Sequence, residues 1–350
     1  MLIIYVLGPV AANLSTGQTR EEVFPTPIFV HGMWRTGSTY FWEKFRRDPA
    51  YRAYLEPLHE MLCRATEADL RRSVPPSVAS VLRHPHVDEY YFAEYRVRPE
   101  GGVPFFEKYF SYEKYSLDSG ASDEPLRAYI SSLLETAWQA RQQPVLQFNR
   151  ALLRSGWLRE NFPGYSILLL RRPSAIWRSF LSFESLYFVT ATCMIVGQNR
   201  SDPVLADIAR RYEVPFYIGE TYEQDTCVYY EFAKENRERL YPLFFEFFLY
   251  ASAFAARYAD CVIDMDAVSE SGYAREFVEF QMKQAGLSIS LADCRMPKSR
   301  EGATALWEAQ EPVSHNMLVH HFGARLTIPS EKLAEIAAGL SPYFRDLLAN

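Results

Sequence analysis

The sequence predicts an α/β fold: a parallel sheet of about five strands, flanked by helices on both faces, with helical insertions. Short apolar runs alternate with helical patterns along the chain. The runs are continuously apolar, which is typical of parallel strands that are buried on both faces. No linker rich in Gly, Ser or Pro divides the 350 residues, so we expect one domain over 1–350.

The elements follow in an alternating order. We expect strands over 26–31, 52–55, 145–148, 165–170 and 261–265. We expect helices up to residue 46, over about 125–141 and 151–161, and from the fourth strand to about 187. The apolar stretch 241–258 contains Glu246 and is only 18 residues long. It is therefore interpreted as a buried core helix and not as a membrane span.

Composition excludes several classes of protein. The chain has 37 basic and 43 acidic residues, a net charge of −6, which argues against nucleic acid as a partner. The five cysteines contain no CxxC pair, which argues against a disulfide framework or a cysteine zinc site and suits the cytoplasm. The apolar start, 1–12, has no preceding positive charge and is too short to span a bilayer. We interpret it as an edge strand or an ordered arm.

The loop after the first strand has the spacing of a phosphate-binding loop. Gly32 and Gly37 stand as in G-x4-G-K-[ST], but Ser38 occupies the place of the lysine. A glycine loop between strand and helix directs backbone N–H groups at an anion. The nearest cation is Arg35, so the P-loop-like anion site remains while the triphosphate signature is incomplete. An ordinary glycine turn is the structural alternative.

A second basic segment, 171–179, begins where the fourth strand ends. Ligands of open α/β sheets bind beyond the carboxyl ends of the strands, so both segments can face one ligand. Ser179 follows Arg171 by eight residues, about two helical turns. Two anion sites indicate a ligand with phosphates at two places; a simple ion pair at a helix start is the alternative.

These two segments resemble sulfotransferases that use 3′-phosphoadenylyl sulfate (PAPS). The first motif of that family is approximately R-[ST]-G-[ST]-[ST], and the second is approximately R-x-P-x(5)-S, which Arg171, Pro173 and Ser179 fit. The resemblance implies that Arg171 and Ser179 bind the 3′-phosphate. It implies that the 5′-phosphosulfate is bound by Arg35, Thr36, Gly37, Ser38 and Thr39.

The resemblance is closest to the carbohydrate and tyrosyl-protein branches. It covers 26–60 and 144–187 well and 258–268 faintly, which leaves 61–143 and 188–257 as insertions that shape the acceptor site. It implies that Glu56, in Glu-Pro-Leu, is the general base. His59 is the rival, because imidazole titrates near neutrality. Related enzymes often have a lysine near Gln147; this chain has none, and Arg150 is the candidate replacement.

The function implied is transfer of a sulfuryl group from PAPS to a hydroxyl, with a carbohydrate favoured over a tyrosine or a small phenol as acceptor. A sulfuryl group carries less charge than a phosphoryl group, so we expect no metal, with Arg35 as the electrostatic catalyst. One alternative is a P-loop kinase with a displaced cation and Asp264 as metal ligand. The other is a non-catalytic nucleotide-binding protein.

Three further segments of the sequence give weaker indications of function. Lys298–Gly302 resembles the late basic loop of the family, which implies that Arg300 contacts the nucleotide; a solvated charge run is the alternative. The histidines at 84, 86, 320 and 321 lack carboxylates or cysteines at ligand spacing, so no metal site is predicted. The aromatic stretch 88–118 is interpreted as insertion core or, alternatively, as the lining of an acceptor groove.

Overall fold

A computed structural model describes residues 25–71, 90–296 and 304–327. Its strands form one five-stranded, fully parallel sheet in the order β2-β3-β1-β4-β5. This confirms the predicted α/β fold with its parallel sheet. The strands are β1 (Ile28–Gly32), β2 (Tyr51–Leu55), β3 (Gln143–Phe148), β4 (Tyr165–Leu170) and β5 (Cys261–Asp264).

Helices cover both faces of the sheet and build the insertions. Between the strands and in the insertions lie α1 (Ser38–Arg46), α2 (Glu67–Leu70), α3 (Glu124–Gln139), α4 (Ser155–Asn161), α5 (Pro173–Leu181), α6 (Tyr187–Gln198), α7 (Pro203–Arg211), α8 (Tyr222–Asn236) and α9 (Tyr241–Ala256). After β5 lie α10 (Met265–Glu270), α11 (Gly272–Gln284), α12 (Ala305–Glu308) and α13 (Glu311–Leu326). The apolar start, 1–12, lies outside the described residues.

The side chains of β1 alternate between two hydrophobic cores, which explains why the strand is apolar apart from His31. Ile28 and Val30 belong to the core beneath α1 and α11, whereas Phe29 belongs to the core beneath α3. All five residues of β1 are buried. A strand with a core on each face has no place for a solvated side chain, so the pattern of period two disappears.

Two of the differences from the predicted boundaries have a clear structural cause. The helix after β4 ends at Leu181, and α6 begins separately at Tyr187 after Leu186, whose φ of 51° interrupts the helical backbone. The fifth strand ends at Asp264, because the Asp264 carboxylate accepts hydrogen bonds from the backbone N–H groups of Asp266 and Ala267 and so starts α10.

Helix α9 is buried almost all round. Every residue of it except Pro242 and Phe254 is buried, and Glu246 inside it is bound by Arg211 and Tyr212. This agrees with the core helix expected over 241–258. No helix within the described residues is both long and apolar enough to cross a bilayer.

The sheet order creates a crevice above β1 and β4. After β1 the chain turns towards β2 on one side of the sheet, and after β4 it turns towards β5 on the other. The loops that follow these two neighbouring strands therefore diverge, which is the geometry of ligand sites in open α/β sheets. The loop beginning at Gly32 and the segment beginning at Arg171 lie at this crevice.

Candidate functional site

The loop 32–39 is a tight turn that requires glycine. Gly37 has a φ of 92°, and a Cβ atom there would lie 3.1 Å from Met265 Cε. Thr36 is fully buried, and both its hydroxyl and its backbone N–H donate to the Met33 carbonyl, at 2.7 and 3.3 Å. Thr36 therefore closes the loop with its own donors. The first-turn N–H groups of α1, from Ser38 onward, have no intrahelical partner and can serve an anion.

Arg35 joins the two predicted anion-binding segments. Its Nε atom donates to Ser179 Oγ at 2.8 Å, and its guanidinium lies 5.7 Å from the ring centre of Phe183. Its backbone has a φ of 69°, a left-handed conformation that costs an L-residue about 1–2 kcal/mol. Strained residues of this kind cluster at functional sites, where the surrounding structure holds them.

Arg171 binds the same loop from the other side. Its Nη1 atom donates to the Arg35 carbonyl at 2.9 Å, and its Nε atom lies 3.4 Å from Asp266 Oδ1. Asp266 also accepts the backbone N–H of Arg172 at 2.8 Å. Burial lowers the pKa of the Arg171 guanidinium and Asp266 opposes that shift. An arginine stays charged in proteins, so a desolvated positive charge faces the loop.

The structure thus brings most of the predicted anion-binding residues to one place. The residues gathered there are Arg35, Thr36, Gly37, Ser38, Thr39, Arg171 and Ser179. Arg300 lies outside the described residues, so its predicted contact with nucleotide is not part of this geometry.

Glu56 lies at the carboxyl end of β2 with its side chain held on both oxygens. Oε1 accepts from Asn149 Nδ2 at 2.6 Å, and Oε2 accepts from Arg150 Nη1. The backbone φ of Glu56 is 43°, so it too is a strained non-glycine residue. Its side chain is 13% exposed, so the carboxylate is close to solvent although it is paired.

Arg150 joins Glu56 to a second carboxylate, Glu60. The Arg150 side chain is 1% exposed, and its Nη2 atom donates to Glu60 Oε2 at 2.7 Å and to Tyr187 Oη at 2.6 Å. Tyr187 in turn donates to Glu60 Oε1 at 2.6 Å. The guanidinium lies 5.1 Å from the ring centre of Trp34. One buried cation therefore orients two carboxylates.

An uncharged pair, Gln147 and Asn149, stands where the resemblance to sulfotransferases would place a lysine. Gln147 is fully buried and its Nε2 atom donates to Asn149 Oδ1 at 2.9 Å. His31, on the neighbouring strand, stacks on Phe148 at 5.6 Å. Burial lowers the pKa of His31 to about 4, so its imidazole is neutral at pH 7. The positive charge of this region is supplied by Arg150.

His59 is used as a helix cap. Its Nδ1 atom accepts the backbone N–H of Met61 at 3.1 Å, which starts the 3-10 turn Glu60–Cys63. The same Nδ1 atom lies 3.5 Å from Glu60 Oε2, so this nitrogen is engaged within the protein. This geometry favours Glu56 over His59 as a base.

A cleft of about 680 Å³ opens beside this cluster, between the segment 59–69 and helix α8. Its lining is His59, Glu60, Met61, Arg64, Ala65, Asp69, Tyr222, Glu223, Thr226, Cys227 and Tyr230. None of these belongs to the aromatic stretch 88–118. Tyr95, Phe106 and Phe110 of that stretch are buried in the core beneath α3, as the insertion-core interpretation expects.

Sequence reasoning missed several residues of the cluster. Glu60, Tyr112 and Tyr187 carry no motif of their own, and only the fold brings them to Arg150. Asn149 was detectable, because it follows directly on β3 and polar residues at the ends of parallel strands gather at the ligand edge.

No group of three or more His, Cys, Asp or Glu side chains at metal-binding spacing occurs within 25–71, 90–296 and 304–327. His320 and His321 contact each other with ring centres 5.1 Å apart. His84 and His86 lie outside the described residues. All five cysteines are free thiols.

Comparison with known proteins identifies no relative of the chain. No family model, no curated protein and no solved structure matches the chain.

Proposed function

We propose that the chain is a sulfotransferase that transfers the sulfuryl group of PAPS to a hydroxyl acceptor, with a carbohydrate as the favoured acceptor. The observation that carries the proposal is the 2.8 Å hydrogen bond between Arg35 Nε and Ser179 Oγ. It joins the two motifs that resemble the PAPS sites of sulfotransferases, at the crevice where an α/β sheet binds its ligand.

The donor side of the reaction uses the loop and the two arginines. The N–H groups at the start of α1 and the Arg35 guanidinium bind the 5′-phosphosulfate and stabilise the charge that develops on the leaving phosphate. Arg171 and Ser179 bind the 3′-phosphate. Charge-assisted hydrogen bonds of this kind are about twice as strong as neutral ones.

The acceptor side uses Glu56 as general base. Glu56 is fixed by Asn149 and Arg150 and ends β2, at the same sheet edge as the loop after β1. The Glu56 carboxylate takes the proton of the acceptor hydroxyl as the oxygen attacks sulfur. His59 is less suited to this role, because its Nδ1 atom accepts the backbone N–H of Met61.

The kinase alternative has less support. Its metal ligand would be Asp264, but the Asp264 carboxylate caps α10, and β5 is separated from β1 by β4. A P-loop kinase holds its metal with groups close to the phosphate loop.

The test is a comparison of nucleotides and a transfer assay. Binding of 3′,5′-ADP, 5′-AMP and Mg·ATP is measured by calorimetry, and transfer of radiolabelled sulfuryl from PAPS to a panel of glycosides is measured in excess EDTA. We expect 3′,5′-ADP to bind most tightly and transfer to survive EDTA. Tighter binding of Mg·ATP, together with transfer of radiolabelled phosphoryl from Mg·ATP and none of sulfuryl from PAPS, would establish the kinase instead.

A further inference from the structure

The cleft between 59–69 and α8 is bounded by two parts of the chain that are distant in sequence. Glu60, which shares the Arg150 guanidinium with Glu56, is part of its wall. The cleft therefore lies beside Arg150 and Glu56, on the side of the site to which we assign the acceptor. Its volume of about 680 Å³ lies within the range of about 300–1,000 Å³ that small-molecule sites occupy.

The charges around this cleft are predominantly negative. Three carboxylates in the lining stand against one guanidinium group, a formal charge of −2, and these groups are Glu60, Asp69, Glu223 and Arg64. Arg64, the cation in the lining, forms an ion pair with Glu223 across the cleft. The nearby Lys108, behind Tyr222, is paired with both Glu113 and Asp225.

The wall formed by α8 is aromatic and polar. Tyr222, Thr226 and Tyr230 recur every four residues, which places them along one face of the helix. Aromatic faces of this kind suit the apolar side of a sugar ring or a phenol. The opposite wall contributes Met61 and Ala65 between its polar groups.

We propose that this cleft binds the acceptor and that it selects an uncharged or cationic hydroxyl compound and disfavours an acidic one. The inference rests on the proposed function for the identity of the ligand, but the charge of the cleft does not depend on it. In the reaction the acceptor O–H gives its proton to the Glu56 carboxylate, a bond forms between the acceptor oxygen and sulfur, and the bond from sulfur to the phosphate oxygen breaks. 3′,5′-ADP leaves with that electron pair. A carboxylate on the acceptor would meet the like charges of Glu60, Asp69 and Glu223.

Cys227 allows the charge of the cleft to be measured without any enzymatic assay. It is an exposed thiol in the lining. The labelling rates of Cys227 with a cationic and an anionic methanethiosulfonate are compared, each normalised to its rate with N-acetylcysteine amide and located by mass spectrometry. At low salt we expect the cationic reagent to be favoured about threefold to tenfold, an advantage that salt reduces. Glu223→Gln lowers the ratio, whereas Glu276→Gln, exposed on α11 and outside the lining, leaves it unchanged. Equal rates, or an advantage for the anionic reagent, overturn the proposal.

Acceptor selection is tested with a matched pair of compounds, 4-nitrophenyl β-glucuronide and its uncharged methyl ester, which offer the same hydroxyl groups and differ in charge. We expect kcat/KM to be at least tenfold higher for the methyl ester, and Glu223→Gln to narrow the difference. Preferred transfer to the glucuronide overturns the acceptor assignment while the proposed function stands. Failure of transfer to both, together with failure to bind 3′,5′-ADP, overturns the proposed function, and the thiol ratio still decides the charge of the cleft.

Discussion

The Nε atom of Arg35 donates a hydrogen bond of 2.8 Å to the Oγ atom of Ser179, a residue 144 positions later in the chain. The contact joins the loop after β1 to the second turn of α5. Arg171 adds a contact to the Arg35 carbonyl at 2.9 Å. The two basic segments therefore form one continuous basic surface at the crevice of the sheet.

Ser179→Ala should weaken the binding of 3′,5′-ADP more than that of 5′-AMP, which responds only through the lost contact with Arg35. A hydrogen bond to a charged group contributes roughly 1.5–3 kcal/mol, which corresponds to about 10- to 150-fold in affinity. Only the bisphosphate offers a 3′-phosphate to this hydroxyl. Calorimetric titration of both nucleotides gives the comparison. Ser182→Ala, one turn later and exposed, is the matched control and should change neither value. An equal loss for both nucleotides would remove the 3′-phosphate site from the proposal.

Glu56→Gln should abolish transfer and keep the affinity for 3′,5′-ADP. General base catalysis contributes about 10²–10⁴ in rate, and the Glu56 side chain is bound to Asn149 and Arg150 on the acceptor side of the site. Initial rates with PAPS give the loss in kcat. Glu67→Gln, exposed on α2 and outside the cleft lining, is the control and should retain full activity, and His59→Ala tests the rival base. A fully active Glu56→Gln enzyme beside an inactive His59→Ala enzyme would assign the base to His59.

Arg150→Met should destabilise the fold and couple strongly to Glu60. Removing one partner of a buried ion pair costs about 3–5 kcal/mol, because the remaining charge has lost its compensation. Urea unfolding of Arg150→Met, Glu60→Gln and the double variant gives a double-mutant cycle. We expect the double variant to lose less than the two single variants added together. Strict additivity would mean that the two side chains do not share an ion pair in solution.

His31 should make the protein less stable in mild acid. Burial lowers the pKa of His31 to about 4 from its ordinary 6.5, so between these values the unfolded chain binds the proton more tightly. The contribution to stability is complete above pH 6.5 and is lost as the pH falls towards 4, by about 2 kcal/mol from pH 7 to pH 5. Urea unfolding at both values measures it. In His31→Leu the decrease in the free energy of unfolding between pH 7 and pH 5 should be smaller by this amount. An unchanged decrease would show that another group titrates.

The sheet was predictable because its signals are local. The run 165–170 is apolar except for Ser166 and forms β4 over the same residues, and the glycine loop turns where Gly32 and Gly37 stand. The predicted helix to 187 failed because no proline or glycine marks the break, which depends on the left-handed backbone of Leu186.

The carboxylate cluster was only half predictable. Glu56 was found through its motif, and Arg150 was noted as a replacement for a lysine. Their contact spans 94 residues and depends on the pairing of β2 with β3, which no local pattern encodes. The cleft could not be predicted for the same reason, because Tyr222 is positioned by the packing of α8 against α6, which no local pattern encodes.

The burial of α9 on all sides has a consequence for biosynthesis. Its apolar surface contacts β4, α5 and α7, which precede it in the chain, and α13, which follows it. While the chain is being synthesised, the face that α13 covers stays open to water until residues 311–326 have left the ribosome. An apolar stretch exposed for that interval is a substrate for chaperones and a nucleus for aggregation. A chain that stops before α13 should therefore accumulate in inclusion bodies even though every residue of the crevice and the cleft has been made.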